Sequence, residues 1–212
     1  ELPVYWKQNK ENIIEAIRNE QYVPGLIKTI EIINGAGKRR TISIMNTVDR
    51  LITRMLAQML KKYLDPLFLE DSYAYQEGKG ILEALEKSKE YIAKGNRFLV
   101  EIDIKDYFDN IPLDRMYDLI CDMIYDENVL KLIHSYLFCS LLTDDEVIRK
   151  ERGLVQGSPL SPIFSNLYLH NLDMHLSKMH YCWIRFADNI YVFCKGREQA
   201  QNTLNHLNKY IP

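Results

Sequence analysis

The sequence has only four cysteines, Cys121, Cys139, Cys182 and Cys194, and no two of them form a Cys-x-x-Cys pair. With no histidine at ligand spacing either, neither a disulfide framework nor a structural zinc site is indicated. The thiols read as reduced core residues of an intracellular, cytoplasmic protein. Long apolar runs are also missing: none approaches the roughly 20 residues needed to cross a bilayer. The first residues, Glu-Leu-Pro-Val-Tyr-Trp, show no charged-then-apolar leader. Membrane and secretory readings therefore drop out. Nine glycines and seven prolines in 212 residues form no Gly/Ser linker, low-complexity tract or repeat, so the elements read as one continuous unit.

Neither sign of charge dominates, with 27 basic residues against 29 acidic and a net charge of −2. The distribution is uneven. Residues 28–62 carry eight basic side chains against Glu31 and Asp49, whereas residues 101–127 carry nine acidic side chains against Lys105 and Arg115. A basic front followed by an acidic stretch suits an enzyme that holds a polyanion with one region and metal cations with another. Solvated helix faces that differ in sign would give the same count.

Apolar residues at helical spacing predict helices over residues 12–19, 81–93, 129–138, 160–179 and 198–210. Thr47 reads as the N-cap of a further helix whose stripe of Val48, Leu51, Ile52, Met55, Leu56, Met59 and Leu60 ends at Asp65-Pro66. Pro112 opens another through Ile124. Residues 29–33 and 41–45 alternate around Asn34-Gly35-Ala36-Gly37 and predict a β-hairpin. Residues 97–104 form a strand in which Phe98, Val100, Ile102 and Ile104 share one parity and Asp103 takes the other. Residues 181–186 and 190–194 form a second hairpin around Ala187-Asp188-Asn189. The fold class is α+β, an antiparallel sheet covered by helices. His134, His170, His175, His180 and His206 are scattered and read as surface or core fillers.

Asp103 ends a strand of buried character and Asp188 sits at a tight apolar hairpin. If their strands are neighbours, two carboxylates meet at one sheet edge. Such repulsion is tolerated where a divalent cation binds. Oxygen ligands without Cys or His suit Mg²⁺, which also shares phosphate oxygens with a substrate. An ordinary Asp-Asn turn is the other reading of that pair.

The motifs also follow one another in a telling order: Asp103-Ile104-Lys105-Asp106-Tyr107-Phe108-Asp109, then Gly153-Leu154-Val155-Gln156-Gly157-Ser158-Pro159-Leu160-Ser161-Pro162, then Arg185-Phe186-Ala187-Asp188-Asn189. Together they resemble the reverse transcriptases, most closely those of the group II intron maturase type. Gly37-Lys38-Arg39-Arg40 through Thr47-Val48-Asp49-Arg50 is similar to the family's fingers motif, and Ser72-Tyr73-Ala74-Tyr75 to the next. The resemblance runs from about Tyr22 onward. It implies polymerase right-hand fingers and palm, with fingers over residues 1–96, palm over 97–111 and 153–212, and a fingers insertion over 112–152. A thumb and a further palm motif would lie beyond Tyr210.

The resemblance implies catalytic roles for Asp103, Asp188 and Asn189, with Asp103, Asp188 and the Ile104 carbonyl as metal ligands. Phe108 would lie under the sugar of the incoming nucleotide and exclude a 2′-hydroxyl. Gln156 and Gly157 would lie beside the nascent base pair, and Lys38 and Arg40 would reach the triphosphate. The cofactor would be Mg²⁺, with Mn²⁺ as a substitute. The partners would be an RNA template, a DNA or RNA primer, deoxynucleoside triphosphates and structured intron RNA, with no membrane. Three departures stand out. Asn189 replaces a second aspartate, which predicts a weakened or Mn²⁺-preferring enzyme. Asn34 replaces a lysine, leaving Lys38 as its substitute, and Gln76 replaces an arginine. An RNA-directed DNA polymerase is the first reading. A non-catalytic or weakly active RNA-binding maturase-like domain with a degenerate metal site is the alternative.

Overall fold

The computed structural model describes residues 2–33, 39–143 and 146–210. The chain runs through α1 (Leu2–Arg18), β1 (Ile27–Ile33), β2 (Arg39–Ile44), α2 (Thr47–Leu64), a 3-10 turn at Asp65–Leu67, α3 (Ile81–Ala93) and β3 (Phe98–Asp103). It continues through the one-turn α4 (Tyr107–Asn110), α5 (Leu113–Met123), α6 (Glu127–Leu137), β4 (Ser140–Leu142), β5 (Val147–Arg149), α7 (Ser161–Lys178), β6 (Cys182–Phe186), β7 (Asn189–Cys194) and α8 (Arg197–Leu207). The elements do not form one continuous unit. They divide into Glu1–Leu60 with Phe108–Ser161, and Lys61–Tyr107 with Pro162–Pro212. The chain passes between the two units inside or beside its helices, so no linker composition marks the division. Among the described residues no helix is long and apolar enough to cross a membrane.

The first unit holds a sheet of order β2-β1-β4-β5. β1 and β2 pair antiparallel from Lys28↔Ile44 to Ile33↔Arg39, and β1 pairs parallel with β4 at Ile27↔Leu141. The short β4–β5 hairpin was not legible as strands; the polar residues after Leu142 hid it. In α5, Leu113, Met116 and Ile120 recur at three and four and are wholly buried.

Asp49, in the first turn of α2, organises this unit. It is 1% exposed and accepts hydrogen bonds from the Tyr22 hydroxyl at 2.7 Å, the Tyr136 hydroxyl at 2.8 Å and the Gly25 N–H at 2.9 Å, together with the Asn46 amide. The Asn46 side chain in turn accepts from the Asp49 N–H at 2.9 Å. Asn46, not Thr47, is therefore the N-cap, in a reciprocal pairing of cap and third helical residue. Thr47 already belongs to the helix. A Cβ at Gly25 would lie 2.5 Å from the Asn46 side-chain nitrogen, so a larger residue there would have to displace the cap side chain.

The second unit holds the sheet β3-β7-β6, antiparallel throughout. Val100, Val192 and Trp183 are register partners on one buried face. α7 and α8 cover that face, with Arg185 bonded to Asp173 and the Cys194 thiol 3.8 Å from the Thr203 hydroxyl. α3 packs on part of the opposite face, where Tyr91, Tyr73, Ile184 and Phe193 form a core. His175 and His206 are not scattered. Their Nε2 atoms lie 2.8 Å apart with rings stacked 7° from parallel.

Asp49→Ala should strand both tyrosine hydroxyls and the Gly25 N–H. The expected loss is about 3 kcal/mol or more of unfolding free energy, since bonds to charged groups are the stronger class. Tyr136→Phe should lose less than half as much. Denaturant titration of both variants checks this, and equal stability of parent and Asp49→Ala would contradict it.

Candidate active site

The β6–β7 connection is a two-residue loop, Ala187-Asp188, closed by the pair Phe186↔Asn189. Ala187 has φ +57°, a left-handed conformation in which alanine is strained. Positive φ at the first loop residue matches the twist of the flanking strands. The next strand supplies the second acid: β3 ends at Asp103, whose register partner is Asn189. The Ile104 N–H donates to the Asp188 carbonyl at 3.4 Å. Asp103 and Asp188 thus emerge from neighbouring strands at one end of the sheet. Asp103 is exposed, while Asp188 and Asn189 are half-buried. The Asn189 amide donates to Asp188 Oδ1 at 3.4 Å.

Glu101 and Tyr191 are paired two residues back along the same strands, so they share the face of Asp103 and Asn189. Burial, followed by the charges of Glu101, Asp103 and Asp188, pushes the Tyr191 phenol above its ordinary range. The face is therefore electronegative. Among the described residues no group of three or more His, Cys, Asp or Glu side chains clusters to hold a metal. Two carboxylates without a nitrogen or sulfur co-ligand among the described residues are a hard, incomplete donor set, of a kind that would suit Mg²⁺, an ion that keeps waters and takes remaining ligands from phosphates.

What holds the hairpin is a buried ionic network. Arg185 and Asp173 are both 0% exposed. The guanidinium donates to Asp173 through Nε at 2.7 Å and Nη2 at 2.6 Å, and through Nη1 to Asn166 Oδ1 at 2.9 Å and the Ala187 carbonyl at 3.0 Å. Burial, with a smaller push from the charge of Asp71, raises the Asp173 carboxyl above its ordinary range against the opposing pull of Arg185. A forked pair with a guanidinium, which does not lose its proton in a protein, keeps it ionised. Asn166 and Asp173 are seven residues apart on α7, two helical turns along one stripe, so both face Arg185. The sequence reading missed this pair. Two buried polar side chains recurring within an apolar helix were the signal.

The other expected site residues belong to the first unit. Phe108 lies in α4 and is half-buried, and its carbonyl accepts from the Leu154 N–H at 2.7 Å. The Gly153 N–H donates to the Ile111 carbonyl at 2.8 Å. The Gln156 amide donates to Asp109 at 3.2 Å, a partnership the sequence reading did not foresee. The Ser43 N–H donates to the Gln156 carbonyl at 3.1 Å, which joins β2 to this loop. Gly157 has φ +105°, and a Cβ there would lie 2.9 Å from the Ser43 carbonyl oxygen. The close approach that demands glycine is thus an approach to the chain's own β2. Arg40 pairs with Ile32 in that hairpin. Lys38 and Asn34 lie outside the described residues.

Residues 28–211 match the family described as reverse transcriptase (RNA-dependent DNA polymerase). Among curated relatives, an uncharacterized 91 kDa protein in the cob intron of Schizosaccharomyces pombe is 32% identical over 80% of this chain and 21% of its own length. Group II intron-encoded protein LtrA of Lactococcus lactis is 30% identical over 77% of this chain and 27% of its own. The chain therefore spans about a quarter or less of the length of these relatives. Among solved structures, truncated apo telomerase from Candida tropicalis has a TM-score of 0.62 at 14% identity, covering 95% of this chain and 51% of that one. A partial Cas6-RT-Cas1–Cas2 complex has a TM-score of 0.58 at 24% identity, covering 99% of this chain and 36% of that one. These likenesses show the right-hand polymerase fold.

Gly157→Ala should cost about 1–3 kcal/mol of stability, combining left-handed strain with a clash against a backbone oxygen that cannot rotate away. Chemical denaturation measures it. An unchanged midpoint would mean that the loop does not rest on Ser43.

Proposed function

The chain belongs to the reverse transcriptase family, and from that premise we propose that it extends a DNA or RNA primer with deoxynucleotides on an RNA template. One observation carries the reading: Asp103 is in register with Asn189, which sets the Asp188 loop beside the end of β3. Two acids from strands 85 residues apart would gain nothing by sharing a sheet edge unless cations bind there. Divalent ions held there would neutralise phosphate charge and lower the pKa of the attacking 3′-hydroxyl.

The chain's own residues do the rest on this reading. Asp103 and Asp188 bind the ions through side-chain oxygens, and Ile104 offers its carbonyl. Phe108 excludes a 2′-hydroxyl by bulk, and Gln156 and Gly157 border the nascent pair. Lys38 and Arg40 meet the triphosphate with positive charge, which acts where negative charge develops. Residues 1–96 work as fingers, 97–111 and 153–212 as palm, and 112–152 as an insertion in the fingers. Residues 81–93 nonetheless pack against β6, so this division of labour differs from the division into compact units.

A second reading, an RNA-binding maturase-like domain with a weakened metal site, draws on Asn189. Its amide hydrogen points at a carboxylate oxygen of Asp188, where a second aspartate would have offered only acceptors. The two readings separate in one assay: primer extension by the full-length protein on an RNA template, with Mg²⁺ and Mn²⁺ in parallel. Extension should occur in at least one metal, and Asp103→Ala should slow it on the order of a thousandfold through loss of a metal ligand. Undiminished extension by Asp103→Ala would remove the mechanism. No extension by the parent, with RNA binding retained, would select the maturase-like reading.

Restoring the second carboxylate gives an independent check. Asn189→Asp should lower the Mg²⁺ concentration that half-saturates extension and raise the Mg²⁺-supported rate relative to Mn²⁺. An unaltered metal dependence would place residue 189 outside the ion site.

A further inference from the structure

Tyr75 is an aromatic residue held in a conformation that aromatics avoid. Its φ is +65°, yet the turn around it is secured at every step. The Tyr73 N–H donates to the Arg185 carbonyl at 2.9 Å, and the Arg185 N–H donates to the Asp71 carbonyl at 2.9 Å. The Gln76 amide folds back to the Ser72 carbonyl at 2.7 Å, and Lys79 Nζ reaches the same carbonyl at 3.1 Å. The Asn166 amide donates to the Ala74 carbonyl at 2.9 Å. That Asn166 is the residue whose other side-chain atom accepts from Arg185, and Arg185 also holds the Ala187 carbonyl. One pair of side chains therefore grips two peptide carbonyls, Ala74 and Ala187. The residue after the first is Tyr75, and the residue after the second is Asp188.

Strain maintained this thoroughly is a mark of use. Tyr75 is 40% exposed, and its hydroxyl has no hydrogen-bond partner among the described residues. The charge of Asp188 acts on it: burial, and then Asp188, push the Tyr75 phenol above its ordinary range. An exposed ring beside the acid that would bind the reacting ion is placed to meet the end of a nucleic-acid strand. Bases and sugars pack on aromatic faces without regard to sequence. We infer that Tyr75 is a packing surface for the terminal nucleotide of the primer, an inference that rests on the polymerase reading above.

The test uses Tyr75→Asn and Tyr75→Phe in the full-length protein. Asparagine tolerates the left-handed backbone but removes the ring; phenylalanine keeps the ring and removes the hydroxyl. Binding of a fluorescent RNA template–DNA primer duplex is measured by anisotropy without nucleotide, beside the KM for deoxynucleotide and the Tm. Tyr75→Asn should weaken duplex binding about tenfold, the scale of one aromatic–base contact. Tyr75→Phe should restore it, and the nucleotide KM and Tm should stay at the parent values. Parental duplex affinity in Tyr75→Asn overturns the inference, as does a rise in nucleotide KM alone, or a Tm loss that accounts for the lost binding. A parent that binds the duplex without extending it defeats the polymerase reading instead, and the affinity comparison still decides the role of Tyr75.

Discussion

The second unit is built around the guanidinium of Arg185. An unpaired charge at 0% exposure would be prohibitive, so the packing of β6 against α7 requires Asp173 and Asn166 as its partners. Two of its five donors go to Asp173, which neutralises it. The remaining contacts do the geometric work by reaching Asn166 and the Ala187 carbonyl. Removing either charged partner leaves the other buried and uncompensated, so the pair acts as one part. Ala187 keeps its left-handed φ only because the pairing of β6 with β7 and this hydrogen bond together leave no alternative. The Asp188 loop is therefore carried on a buried, hydrogen-bonded support, which is what the proposed metal-binding role would require.

The first unit meets a similar demand by other means. Asp49 is as deeply buried as Arg185 but has no cationic partner among its hydrogen bonds. Its charge is spread over two phenols, a backbone N–H and an amide. Burial and the carboxylate raise both Tyr22 and Tyr136, so the phenols remain protonated donors at any pH the protein meets. One unit thus centres on a cation matched by an acid, and the other on an acid matched by neutral donors. Both choices fix the end of a motif-bearing segment: the β6–β7 loop in one unit, and the start of α2 just after β2 in the other.

Periodicity made most of this architecture legible. The stripes of α2, α3 and α5 and the parity of Phe98, Val100 and Ile102 against Asp103 are local patterns, and the structure forms those elements within a residue or two. What escaped was set by distant partners. β4 and β5 are three residues each, too short to alternate, and β4 exists because Ile27 pairs with Leu141. α1 begins ten residues before its predicted start: its half-buried stripe runs through Leu2, Trp6, Ile13, Ala16 and Ile17 but is interrupted by Asn9 and the polar residues around it. Asn46 was overlooked as a cap because Thr47 is an equally good candidate by type. Only the reciprocal bond with Asp49 distinguishes them. The reason for Gly157 lay in β2, over a hundred residues away in the chain.

The acidic stretch over residues 101–127 shows why charge counting points at chemistry without locating it. Read as a block, nine acids suggest a single cation-collecting patch. Its members are divided between the two units at Tyr107 and serve separate ends. Asp109 accepts from Gln156, and Asp126 caps α6 by accepting from the Val129 N–H at 3.0 Å. Asp114 sits in the first turn of α5, where the helix dipole favours a negative charge. Within the stretch, Asp103 is the acid whose register partner, Asn189, directly follows the loop that holds Asp188. The placement of that strand-terminal side chain thus depends on an antiparallel partner most of a domain later.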